Sequence, residues 1–80
     1  MSEKQLRESK LAGLKARKNE LSLKIRADIR TIQQKLATAS VDKLQDVDIP
    51  NAAASMSQAT GAYYEFIEIL RQIETLEREL

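Results

Sequence analysis

The side chains in this chain that could do chemistry are carboxylates and amines. Glu65, Glu68, Glu74, Glu77 and Glu79 crowd the C-terminal stretch, and two carboxylates can act as acid and base when their surroundings hold them in different protonation states. Their spacing is that of residues on a helix surface, so they are expected to form a solvated face rather than an acid–base pair. Asp42, Asp46 and Asp48 lie close together, but they lack the glycine and the terminal glutamate of a calcium-binding loop, so caps and turns are their expected roles. The chain has no histidine and no cysteine, which removes the usual nucleophile–base pairs, most transition-metal sites and any disulfide framework. Gly13 and Gly61 are isolated glycines and make no phosphate-cradling loop. The expectation is a protein that is not an enzyme, with no catalytic residues, no metal and no cofactor.

The amines carry a second possibility. Lys10, Arg17 and Lys24 recur every seven residues, which lines them up as a basic stripe on a helix, and Arg26 and Arg30 lie nearby. These five are the candidate phosphate contacts of an alternative function, a small nucleic-acid-associated protein. No DNA-reading motif and no aromatic stacking platform accompanies the stripe, and the formal net charge is only +1. That total hides an uneven distribution. Residues 1–37 carry ten Lys and Arg against four acids, whereas residues 61–80 carry two Arg against five Glu.

Helices must position the glutamates and the amines. Ala59, Ala62, Phe66, Ile69, Ile73, Leu76 and Leu80 recur at alternating steps of three and four, the spacing of one apolar seam along a helix. Tyr63 and Leu70 stand beside this seam and widen it. Upstream, Leu11, Leu14, Leu21, Ile25, Ile29, Ile32 and Leu36 form a second seam, with Lys18 at its one charged position. Its four, four, three steps from Leu21 to Ile32 make an eleven-residue unit, which argues for a bundle over a regular two-stranded zipper. Ser2 and Gln5 have the spacing of a capping box that would start the first helix. Between the seams, Ser40 could cap a short turn through Val41, Lys43 and Leu44, and Asp48 before Ile49 and Pro50 marks the next start.

Eighty residues allow one domain with a thin core. The chain is therefore expected to be all-α, a single antiparallel two-helix hairpin over residues 1–80. Its first helix is expected at about 3–37, a turn region with a possible short helix at about 38–49, and its second helix at about 50–80. Flush pairing would set Leu36 near Ala59, Ile25 near Ile69 and Leu14 near Leu80. It would also bring Lys15, Arg17 and Lys18 toward Glu74, Glu77 and Glu79. The stretch Ala52–Ala62 is rich in small side chains, suited to close packing or to docking of larger side chains with Gly61 allowing backbone contact.

A two-helix core is one contact thick, so a homodimer forming a four-helix bundle is expected, through Tyr63, Phe66, Leu70 and Ile73. Leu23, Ala27, Tyr64 and Ile67, off the main seam, are the candidate surface for a further protein partner. No apolar run approaches the roughly 20 residues of a membrane span, and Met1 to Lys10 is too polar for a signal peptide. A cytoplasmic protein with no membrane attachment is expected. The function these features favour is a non-catalytic interaction module: an adaptor, assembly subunit or small protein inhibitor.

Overall fold

The computed structural model describes residues 2–37 and 44–79. Helix α1 spans Glu3–Ala37, a 3-10 turn spans Leu44–Asp46, and helix α2 spans Ile49–Glu79. The two helices pack against each other as an antiparallel hairpin, 62 × 16 × 14 Å in extent, with no strand among the described residues. The expected turn through Ser40, Val41 and Lys43 lies outside the described residues, as do Asp42 and Leu80.

Local chemistry sets the helix starts. The Ser2 N–H donates to Gln5 Oε1 at 3.1 Å and the Gln5 N–H donates back to Ser2 Oγ at 3.2 Å, so two donors that the first turn leaves without helical partners are satisfied reciprocally. At α2, the Asn51 N–H donates to Asp48 Oδ1 at 3.1 Å, the geometry of an N-cap. Pro50 follows in the first turn, where a missing N–H costs nothing. Val47 and Ala52 are both buried and occupy the two positions of a hydrophobic staple, which fixes the angle at which the chain enters α2.

The core runs along the seam between the helices. Leu21, Ala62, Ile69 and Ile73 form its centre, with Leu11, Leu14, Ile25 and Phe66 packed against them. The α2 seam is the one its sequence periodicity indicates, while that of α1 departs from expectation beyond Ile25. There the inward positions are Asp28, Ile32 and Lys35, which are half-buried, whereas Ile29 and Leu36 are exposed. The steps from Leu21 are thus four, three, four and three, a regular heptad seam. Apolarity and inward orientation part company here because α2 offers small and polar partners. Lys35 Nζ donates to Asn51 Oδ1 at 2.7 Å and to Ser55 Oγ at 2.9 Å, so its stem crosses the seam while its ammonium is satisfied.

The register also differs from the flush pairing. Leu36 shares a groove with Ile49, Ala52 and Met56, and Ile25 shares one with Ala59 and Tyr63. Relative to Leu36–Ala59 and Ile25–Ile69, α2 is displaced by one heptad, roughly 10 Å. A slip of seven residues keeps every seam position facing the seam, so periodicity alone does not resist it. Specific pairs do: Arg17 bonds Glu65 and Lys35 bonds Asn51. Of the acids expected near Lys15, Arg17 and Lys18, Glu77 pairs with Lys15, Glu79 with Arg7, and Glu74 with Arg78 on its own helix.

A Cβ added at Gly61 would meet nothing within 4 Å, so no close backbone approach within the hairpin requires this glycine. Gly61→Ala is therefore expected to stabilise the hairpin by about 1 kcal/mol through helix propensity alone, read as a rise in the urea midpoint at fixed chain concentration.

Candidate interaction surface

An antiparallel heptad seam has two flanks, and here they are unlike. On one, α1 contributes Ile29 and Leu36, while α2 contributes Ile49, Met56, Tyr63 and Leu70, each step seven residues long. All six side chains are exposed, from 37% at Leu70 to 58% at Met56. Between them lie two shallow apolar grooves. One of about 260 Å³ is lined by Ala59 with Ile29, Met56 and Tyr63. The other, of about 250 Å³, is lined by Ala52 with Leu36, Ile49 and Met56. Ala59 and Ala52 are themselves seven residues apart, so the grooves repeat with the same period as the ridge of large side chains. Toward the chain termini the apolar strip ends in the Lys15–Glu77 ion pair at 3.5 Å.

The opposite flank is polar. Arg17 Nη2 donates to both carboxylate oxygens of Glu65 at 3.0 Å, and Arg17 Nη1 donates to Glu20 at 3.1 Å. Hydrogen bonding to Glu65, then to Glu20, raises the guanidinium pKa above its ordinary range. The clamp is solvent-exposed, which limits what it adds to stability and leaves orientation as its main effect. Lys10 borders a groove of about 310 Å³ on this flank together with Glu68, Gln72 and Glu79.

The C-terminal carboxylates each have a cationic neighbour: Glu65 with Arg17, Glu68 with Arg71, Glu74 with Arg78, Glu77 with Lys15 and Glu79 with Arg7. Among the described residues, no group of three or more Asp and Glu is gathered to hold a metal ion, and no helix is long and apolar enough to cross a membrane.

Of the four candidate interface residues, Tyr63 and Leu70 lie on the exposed apolar flank. Ile73 is buried in the hairpin's own core and Phe66 is half-buried against it. The four candidate partner residues do not form one patch. Leu23 and Tyr64, each 68% exposed, sit on the outer backs of the two helices, Ile67 borders the apolar flank, and Ala27 falls toward the polar one. The rings of Tyr63 and Tyr64 lie with centroids 6.0 Å apart and planes tilted by 58°.

Of the candidate phosphate contacts, Arg17 is held by two glutamates and Lys10 lies beside Glu68 and Glu79. Lys24, Arg26 and Arg30 are exposed and form no ion pair among the described residues. Ile49 and Met56 belong to this surface although they lie outside both apolar seams; the only sequence signal for them is the heptad spacing of Ile49, Met56, Tyr63 and Leu70.

No family model matches the chain, and no curated protein or solved structure proves similar to it.

Proposed function

We propose that this chain is a non-catalytic protein–protein interaction module of the cytoplasm, an adaptor, assembly subunit or small protein inhibitor, that works as an oligomer of helical hairpins. The observation that supports this reading is the exposed apolar flank. Six large side chains stand in one strip on a molecule whose core holds few buried residues, and a contiguous apolar strip in water is the mark of an association surface. The simplest oligomer is a homodimer forming a four-helix bundle, the symmetric solution for a face that can match itself.

Sedimentation equilibrium tests it. The chain is expected to sediment at twice its 9.0 kDa mass in the micromolar range. A Met56→Glu, Tyr63→Glu double variant should keep its helical circular dichroism while its dimer dissociation constant rises at least tenfold, because two carboxylates would have to be desolvated in the joint. A wild-type chain that remains a monomer at high micromolar concentration refutes the reading.

The nucleic-acid alternative is supported by Lys24, Arg26 and Arg30, which are exposed and form no ion pair among the described residues, whereas glutamates already occupy Arg17. A fluorescence titration with duplex and single-stranded DNA addresses it, saturable binding that weakens steeply with salt being its signature.

A further inference from the structure

We infer that the occupant of the apolar flank is a second copy of this chain, arranged so that α1 of each copy lies against α2 of the other. The assignment rests on the oligomeric reading above and adds the pairing of the helices across the joint.

A compact monomer of 9.0 kDa exposes about 4,900 Å² by the scaling of surface with mass. This hairpin exposes 6085 Å², an excess of about 1,200 Å². Stable protein interfaces take about 800 Å² from each partner, and obligate homodimers take more. The elongated hairpin carries this surplus over all its faces, and it is enough to supply the area that one copy of a dimer covers.

The flank also complements itself. The ridge of Ile49, Met56, Tyr63 and Leu70 has a seven-residue period, and so do the grooves over Ala52 and Ala59. A second copy brings side chains of matching size at matching intervals, the knobs-into-holes condition. A partner of another sequence would have to reproduce the same spacing.

Charge then selects between the two two-fold arrangements that overlay the strip. With the axis across the length of the hairpin, α1 faces the other copy's α1. With the axis along the length, α1 faces the other copy's α2, and levels along the rod are preserved. Residues 1–37 carry ten basic side chains against four acidic, while α2 carries two against five. Like facing like sets the basic rods together, and unlike facing unlike sets basic against acidic, so complementarity selects the lengthwise axis. Ile29 and Met56 are level within the hairpin, since both line one groove. In the lengthwise arrangement Ile29 of one copy then faces Met56 of the other.

The chain has no cysteine, so engineered thiols report the pairing directly. Ile29→Cys chains carrying a mass tag are mixed with untagged Met56→Cys chains, equilibrated and oxidised. Met56→Cys alone, and Met56→Cys mixed with Tyr63→Cys, serve as parallel samples. A disulfide-linked tagged–untagged pair from the first mixture is the expected result. Disulfides forming only between two α2 positions, with dimers still present by sedimentation, overturn the pairing and leave self-association standing. Chains that sediment as monomers overturn both.

Discussion

Leu21→Ala is expected to cost the hairpin about 3 kcal/mol, while Leu23→Ala, two residues along the same helix, should leave stability within about 0.5 kcal/mol. Leu21 is 2% exposed and sits among Ala62, Ile69 and Ile73, whereas Leu23 is 68% exposed on the back of α1. The first substitution withdraws apolar surface from a contact and leaves a cavity that rigid neighbouring helices close only partly. The second exchanges one good helix former for another in solvent. A domain of 80 residues has about 4–12 kcal/mol of total stability, so the loss at Leu21 takes a large share of it. Urea denaturation at fixed chain concentration reads both variants, the concentration being held because association adds to apparent stability. Equal losses at the two positions would mean that α1 turns a different face to α2.

That contrast also shows how far the chain could be read from its residues. Two helices, their approximate limits, the Ser2–Gln5 cap and the α2 seam all follow from local rules, because periodicity and capping are properties of a few neighbouring side chains. The seam of α1 beyond Ile25 follows only as far as apolar residues coincide with inward positions. Ile29 and Leu36 are more apolar than Asp28 and Lys35, yet they lie one position off the heptad line and are exposed. Nothing within α1 states that Asn51 and Ser55 will receive the Lys35 ammonium. That information is in the other helix. The one-heptad displacement has the same origin, since seam chemistry repeats every seven residues and only a pair such as Arg17–Glu65 distinguishes one register from the next. For the interaction surface, Tyr63 and Leu70 are legible as residues beside a seam. Phe66 and Ile73 belong to the seam itself and are consumed by the hairpin, while Ile29 and Leu36 join the strip because the heptad line excludes them.

The residue that excludes Ile29 from the seam is Asp28, and Asp28→Leu should raise stability by about 2 kcal/mol. The Asp28 Oδ2 atom is buried and has no hydrogen-bond partner among the described residues. Lys35, one heptad further along, reaches Asn51 and Ser55. Translating that arrangement by seven residues sets Asp28 level with Gln58 and Ala62. Ala62 has no side-chain donor to offer, and no bond to Gln58 forms. A buried polar atom without a partner costs about 1–3 kcal/mol, and burying a leucine side chain contributes about 1.5–3 kcal/mol when complete. Because the Asp28 site is only half-buried, both terms are partial and their sum falls near 2 kcal/mol. Asp28→Asn separates them, since it keeps the shape and the polarity and so should recover little of the gain. The register survives the change, because Arg17–Glu65 and Lys35–Asn51 still resist a slip. The urea midpoint should therefore rise with an unchanged m-value. A midpoint that falls for the leucine variant would mean that Asp28 Oδ2 has a partner in solution that holds this carboxylate in the seam.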